Sequence, residues 1–205
     1  MTTRRASGLI AIVLVMGVAA ACSSNTPTSG PTKSSPETST STTATPRPTL
    51  TGSRLQPPAQ DNKYADPGRH AVVFDPCTWI SDDDIQRAGF DPRTRKRAHD
   101  VVAEYTFLTC HFDSDRVLLS LESGNVSLDE VKKKYAGKTR PSTINGREAL
   151  ITNKSDDTCS VDMQTKVGYF GVTFMPTGRG SEPIQPCDGI VEAATILEPS
   201  IGKEN

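Results

Sequence analysis

The sequence predicts an α+β fold in which an antiparallel sheet of about five strands and three short helices are held together by two disulfide bonds. Three observations carry this prediction. Segments with the alternating apolar and polar residues of half-buried strands recur from Tyr105 onward, with turn residues between them. Other segments begin at helix-capping residues and end at glycine. Four of the five cysteines follow Pro76, and an even number in that region suits two bridges.

The first residues have the parts of a bacterial export signal. A basic end, Arg4-Arg5, precedes an apolar stretch of 14 residues over 8–21, shorter than the roughly 18–20 that a membrane-spanning helix needs. The end of this stretch and Cys22 resemble a lipobox, in which the cysteine is acylated and becomes the new N-terminus. We predict a signal peptide over residues 1–21 and a lipid at Cys22, palmitate included, that anchors the chain on the extracytoplasmic face of a cell membrane. A secreted chain with a free thiol is the alternative, but acylation explains the odd cysteine count.

A stalk is predicted over residues 22–65. Ser, Thr and Pro make up 25 of the 38 residues from Ser23 to Gln60. Such a segment buries too little apolar surface to offset its chain entropy, so we expect it to be disordered. Both O-glycosylation of the stalk and an unmodified linker are compatible with this composition.

Residues 66–205 have the size of a single domain. From Ala71 onward, 16 Lys and Arg stand against 21 Asp and Glu, a net charge of −5 that argues against nucleic acid as a partner. Two local basic clusters occur at residues 93–97 and 132–140. We expect both to be solvated surface, with contact to anionic lipid or wall polymer as the alternative.

The four cysteines of the domain indicate two disulfides, since paired cysteines are typical of exported proteins. Three pairings are possible. We favour Cys77–Cys110 with Cys159–Cys187, because each pair joins a helix start to a strand in the same half of the domain. Zinc is a poorer explanation because no two cysteines have close metal-ligand spacing. The histidines are also scattered, at His70, His99 and His111.

Three helices are predicted from their caps and stops. Ser81 precedes three aspartates, which we interpret as charges that stabilise a first helical turn rather than as a calcium site. Ser127 and Glu130 have the spacing of a capping box. A Pro-Cys step opens the first and the last helix, and Pro199 is expected to end the last. The helices are predicted over residues 76–89, 128–137 and 187–197.

Five strands are predicted from alternation. Leu108, Cys110 and Phe112 share one face of the first strand, and Asn145-Gly146 is typical of a hairpin turn. The glycine-rich stretch at residues 178–181 is expected to be a mobile loop. The strands are predicted over residues 105–112 and 117–122, joined as a hairpin, and over residues 147–152, 158–165 and 167–174, in an antiparallel meander.

The sequence contains no recognisable catalytic, metal or cofactor motif. Cys110 and His111 are adjacent on a strand, so their side chains should point to opposite faces and not form a catalytic pair. Trp79 is expected to pack against the Cys77 bridge, with an exposed stacking platform for sugar as the alternative. Three carboxylates could belong to a glycan-cleaving site, but their turn and edge positions predict solvation: Asp113, Asp115 and Glu122.

Several short motifs carry a resemblance to a known family. They are Asp75-Pro76-Cys77, Cys110-His111-Phe112, Ile144 to Arg147, Cys159, and Pro186-Cys187-Asp188. With these motifs and its lipobox, the chain resembles the actinobacterial envelope lipoproteins of the domain-of-unknown-function family 3558, which includes the mycobacterial lipoproteins LprB and LprC. The resemblance extends from Val73 to Leu197. It implies a cell-envelope location and no established activity, so no functional residues are carried over.

These observations favour a non-enzymatic binding or accessory module that holds an envelope lipid, glycan or protein near the membrane. No cofactor is expected. One alternative is a regulatory or structural lipoprotein that acts through one protein partner. Another is an envelope hydrolase whose site is assembled from residues far apart in the sequence.

Overall fold

The structure is a computed structural model that describes residues 49–179, residue 185 and residues 187–205. The predicted signal peptide, the lipid site at Cys22 and the stalk up to residue 48 therefore lie outside the described residues, as does the end of the loop predicted at 178–181. Among the described helices, none has the length and apolar character needed to cross a membrane.

The core of the fold is one eight-stranded sheet whose strand pairs are all antiparallel. The strand order is β1-β3-β4-β8-β7-β6-β5, and β2 also pairs with β3. The strands are Lys96–Arg97 (β1), Val101–Val102 (β2), Thr106–Asp113 (β3), Val117–Gly124 (β4), Thr139–Ile144 (β5), Arg147–Asn153 (β6), Cys159–Gln164 (β7) and Tyr169–Pro176 (β8). The helices are Pro76–Trp79 (α1), Asp82–Arg87 (α2), Leu128–Lys134 (α3) and Ile190–Leu197 (α4).

The five predicted strands are confirmed as β3, β4, β6, β7 and β8, but the expected total of about five is too low. Strands β1 and β2 have only two residues each, too few to show alternation. Strand β5 contains Pro141, which weakens a strand pattern but is tolerated at a sheet edge. The turn after β5 was predicted correctly: Asn145 and Gly146 both have positive φ, at 49° and 89°, as a two-residue hairpin turn requires.

The first predicted helix is divided into two, so the structure has four helices where three were expected. Ser81 has an extended backbone, and its hydroxyl accepts a hydrogen bond from the Asp84 N–H at 3.1 Å. This N-cap begins α2 afresh after α1 has ended at Trp79. The capping box of α3 is confirmed, because the Ser127 hydroxyl accepts from the Glu130 N–H while the Glu130 carboxylate accepts from the Ser127 N–H.

The last helix begins later than predicted. Gly189 has a φ of 74°, a left-handed conformation that keeps Cys187 outside α4. The helix ends at Leu197, as predicted. Pro199 lies near the start of a 3₁₀ turn that follows, Glu198–Ile201, where a missing N–H costs no hydrogen bond.

The two faces of the sheet are covered differently. One face, which we call the closed face, packs against α1, α2 and α4 and forms the main hydrophobic core. The favoured disulfide pairing is confirmed on this face: Cys77–Cys110 joins α1 to β3, and Cys159–Cys187 joins β7 to the segment before α4. The other face, the open face, is covered in part by α3 alone. Large side chains that are fully buried in the closed-face core include Phe112, Leu119, Leu121, Met163 and Phe170.

Residues before Asp66, the predicted start of the domain, already pack against it. The Leu50 N–H donates to the Thr78 carbonyl at 2.8 Å, and Leu55 is 6% exposed within the core. The Arg97 Nε donates to the Leu55 carbonyl at 2.9 Å. This part of the predicted stalk therefore packs as part of the domain.

The first basic cluster is solvated surface only in part: Arg93 and Lys96 are exposed as expected, but Arg95 and Arg97 are not. Arg95 is only 4% exposed, its guanidinium lies 4.9 Å from the centre of the Phe112 ring, and it donates to the Cys77 carbonyl at 3.1 Å. Arg97 pairs with the buried Asp75 at 2.6 Å. The prediction is wrong for these two arginines because each has internal partners that a sequence pattern does not reveal. In the second cluster, Lys133, Lys134, Lys138 and Arg140 are exposed as expected.

Candidate functional site

A cavity of about 550 Å³ lies between α3 and the open face. The chain crosses this face in passing from β4 to β5, and Leu128 and Val131 of α3 pack on Leu150 and Tyr169 of the sheet. Since α3 has only seven residues, it covers part of the face and leaves the cavity beside it. The cavity is lined by Tyr105, Phe107, Glu122, Val126, Glu130, Val131, Lys134, Tyr135, Lys154, Asp162 and Tyr169.

Two carboxylates flank a glycine on three neighbouring strands of the cavity floor. Gly171 on β8 is in register with Glu122 on β4 and with Asp162 on β7. A Cβ atom at Gly171 would lie 3.0 Å from the Asp162 Oδ1 and 3.1 Å from the Tyr169 ring. The absence of a side chain at Gly171 therefore keeps the space next to Asp162 open.

Asp162 is 1% exposed, and its two oxygens have different surroundings. Oδ2 accepts hydrogen bonds from the Thr152 hydroxyl at 3.0 Å and from the Ser160 hydroxyl at 2.9 Å. Oδ1 has no hydrogen-bond donor among the described residues. The nearest cation is the Lys154 ammonium, 3.9 Å from Oδ1. Burial raises the pKa of Asp162, because the charged carboxylate has lost its water.

Glu122 lies at the other side of Gly171 and accepts a hydrogen bond from the Tyr169 hydroxyl. Burial, together with the charge of Glu122, raises the pKa of Tyr169 well above its usual value, so this hydroxyl stays a donor. The expectation that Glu122 is solvated is wrong. Strand β4 continues to Gly124, so Glu122 lies inside the strand, where it lines the cavity between α3 and the open face. The other two carboxylates of that group have the exposed positions expected of them: Asp113 pairs with Lys96 at 2.8 Å, and Asp115 is in the turn.

Aromatic rings form the walls of the cavity, and an ion pair holds its rim. The Arg69 guanidinium lies 4.2 Å from the centre of the Tyr105 ring and donates to the Asn125 carbonyl at 2.8 Å and to Glu130 at 3.2 Å. Hydrogen bonds from Arg69 and from the Ser127 backbone lower the pKa of Glu130 to about 2. Arg69 thus links the segment before α1 to the first turn of α3 by a hydrogen-bonded ion pair.

The other sequence candidates lie away from the cavity. Trp79 packs edge-on against Phe74 with ring centres 5.6 Å apart and contacts the closed-face core, which agrees with a packing role. Cys110 is in its disulfide on the closed face, while His111 is on the open face, as the strand alternation predicted. Burial and the nearby Lys96 lower the pKa of His111. In the described part of the chain, no group of three or more His, Cys, Asp or Glu side chains could hold a metal ion.

A family model described as a protein of unknown function, DUF3558, matches residues 17–200. The chain belongs to the DUF3558 family. This finding confirms the family resemblance seen in the sequence motifs. Neither a curated protein nor a solved structure gives a significant match to this DUF3558 chain.

Sequence reasoning named only Glu122 among the residues that meet at the cavity floor. Two signals could have found more. Ser160-Val161-Asp162-Met163 alternates polar and apolar residues, which puts Asp162 on the polar face of β7. Gly171 lies inside a strand pattern, and such glycines often mark the close approach of another group. Neither signal shows that the two residues are neighbours.

Proposed function

We propose that this DUF3558 chain is a lipid-anchored binding module on the extracytoplasmic face of a bacterial cell membrane, and that it holds a small molecule in the cavity between α3 and the open face. The envelope location is supported by the predicted export signal over residues 1–21 and by the resemblance of the residues before Cys22 to a lipobox. An actinobacterial source and a likeness to LprB and LprC belong to the same proposal, as does a stalk that carries the domain away from the lipid.

The observation that carries the binding role is the unpaired Oδ1 of Asp162. Buried polar atoms in folded proteins nearly always have a hydrogen-bond partner, and an unpaired one costs roughly 1–3 kcal/mol. This atom lies against a cavity whose volume is within the range of about 300–1,000 Å³ that small-molecule sites have. A ligand that donates a hydrogen bond to Oδ1 would remove the cost.

Native mass spectrometry of the mature protein, extracted from membranes in mild detergent, tests this function. We expect a mass for an acylated N-terminal Cys22 and an additional bound small molecule. Val126→Trp fills the cavity and should abolish the small-molecule adduct, whereas Val191→Trp, an exposed position on α4, should retain it. Wild-type protein without an adduct contradicts the binding role, and an unmodified N-terminus contradicts the anchor.

A second candidate is a glycan hydrolase, because two carboxylates flank Gly171 and burial pushes the pKa of one of them upward. We favour binding because neighbouring side chains already hold both carboxylates in the sheet floor: Glu122 accepts from the Tyr169 hydroxyl, and Asp162 Oδ2 accepts from the Thr152 and Ser160 hydroxyls. Incubation of the protein with soluble wall fragments separates the two. New reducing ends that disappear in Glu122→Gln would favour the hydrolase.

A further inference from the structure

The polar groups at the cavity floor offer one free acceptor next to one donor. The Asp162 Oδ1 can accept a hydrogen bond, and the Lys154 ammonium, 3.9 Å away, can donate. Lys154 is anchored by the Thr173 hydroxyl at 3.4 Å and stays partly exposed. A hydroxyl group placed here can accept from Lys154 and donate to Asp162 at the same time. An ammonium can only donate and a phosphodiester oxygen can only accept, so each would satisfy one partner and repel the other.

The charges around the cavity also favour a neutral polar ligand. Three carboxyl side chains line it, Glu122, Glu130 and Asp162, and two ammonium groups, Lys134 and Lys154. The Arg69 guanidinium pairs with Glu130 and brings the two signs level. A cationic ligand would be repelled by the two lysines, and an anionic ligand by the carboxylates. Net attraction therefore comes from hydrogen bonds rather than from a single charge.

The walls supply an apolar surface beside these polar groups. Phe107 and Tyr135 line the cavity with rings that are only partly buried. An aromatic ring provides a flat apolar surface against which the C–H face of a cyclic polyol can pack. Hydroxyls at the edge of the polyol ring would point at the sheet floor, where Gly171 leaves space between Glu122 and Asp162.

We infer that the ligand is a sugar ring, with one hydroxyl held between Lys154 and the Asp162 Oδ1 and its C–H face against the aromatic wall. This inference rests on the proposed binding function and specifies its ligand class. The same ring could belong to a wall glycan or to the headgroup of a glycolipid, and the two sources differ only in what is attached to it.

Titration of the full mature chain, carrying Cys22→Ser to prevent acylation, tests the inference by NMR. The probes are methyl glycosides of glucose, galactose, mannose, arabinose and N-acetylglucosamine, with methylammonium and dimethyl phosphate for comparison. We expect at least one glycoside to shift the amide signals of Gly171 and Asp162 saturably, and neither methylammonium nor dimethyl phosphate to do so. The octyl glycoside of the sugar that binds then separates the sources: equal affinity indicates a glycan and tighter binding a glycolipid.

Two variants probe the polar contact itself. Asp162→Asn replaces the free acceptor by an amide that can still pair with Thr152 and Ser160, and it should lower sugar affinity about tenfold or more. Lys154→Met removes the donor and keeps an apolar stem, with a similar expected loss. The matched controls, Asp188→Asn and Lys166→Met, are exposed positions outside the cavity and should bind as the parent chain does.

The outcomes separate the ligand class from the binding function. Stronger binding of methylammonium or dimethyl phosphate than of every glycoside overturns the sugar and leaves a small-molecule site. Unchanged sugar affinity in folded Asp162→Asn overturns the contact that defines the inference. A native adduct that no glycoside displaces also overturns the sugar as the ligand. The absence of both a native adduct and probe binding overturns the binding function itself.

Discussion

The closed and open faces of the sheet use the same strands for different purposes. On the closed face, side chains such as Phe112 and Phe170 are fully buried against helices that two disulfides tie to the sheet. On the open face, the alternate residues of the same strands include Asp162, which is equally buried but incompletely hydrogen-bonded. The comparison teaches that the largest fully buried cluster lies on the closed face, whereas the open face keeps a cavity and a buried carboxylate oxygen without a hydrogen-bond donor among the described residues.

The largest expected effect comes from replacing one aromatic side chain on each face by alanine and comparing the losses in the free energy of unfolding. Phe170→Ala on the closed face should lower the free energy of unfolding by about 3–5 kcal/mol, because a fully buried ring leaves a cavity. Phe107→Ala, on the partly exposed wall of the open face, should cost about 1–2 kcal/mol. Urea unfolding measures both. Equal losses would mean that the open face contributes as much packing as the closed one.

Removal of either disulfide should also destabilise the closed face, by about 2–4 kcal/mol for each double alanine variant. The bridges close similar spans, with sequence separations of 33 and 28 residues. They differ in access, since Cys187 is partly exposed while the other three cysteines are fully buried. Limited reduction followed by alkylation and peptide mapping should therefore label Cys159 and Cys187 first. Earlier labelling of Cys77 and Cys110 would contradict this.

On the open face, Asp162→Asn should have the opposite sign and raise the free energy of unfolding by about 1 kcal/mol at neutral pH. Burial raises the pKa of Asp162 in the folded chain, so ionisation favours unfolding as the pH rises above the ordinary value of 3.8. The stability difference between variant and parent should grow in chemical denaturation as the pH rises above 3.8. Asp188→Asn is the control. A less stable Asp162→Asn chain would show that the carboxylate is a structural necessity.

The smallest expected effect concerns the rim of the cavity. Glu130→Gln can keep the capping contact to Ser127 and loses the ion pair with Arg69, which should cost about 0.5 kcal/mol because Glu130 is 40% exposed. The pKa of Glu130 is about 2 in the folded chain, so this stabilisation is present above the ordinary value of 4.5 and is lost as the pH falls towards 2. Chemical denaturation at several pH values measures the difference in the free energy of unfolding between the parent chain and Glu130→Gln, which should shrink as the pH falls. Glu192→Gln is the control. A difference independent of pH would exclude the ion pair as its source.

Local patterns account for the elements that were predicted correctly and for those that were missed. Strands β3 and β8 each carry three apolar residues at alternate positions, and α3 carries a full capping box, so these patterns are specific enough to predict the elements. Strand β5 was missed because Pro141 interrupts it, and α4 was started too early because the left-handed conformation of Gly189 is not visible in a Pro-Cys step. The buried arginines were missed because their partners are distant in sequence.

The sequence by itself determined the α+β class, the five long strands, the even set of cysteines and the motifs that show the family. These depend on neighbouring residues and on counts. Only the tertiary structure decided the candidate site. Glu122, Asp162 and Gly171 meet because β8 inserts between β4 and β7, and α3 covers them because the chain crosses the open face before the meander returns. Strand order is set by long-range pairing across the whole sheet, and no local pattern of residues encodes it.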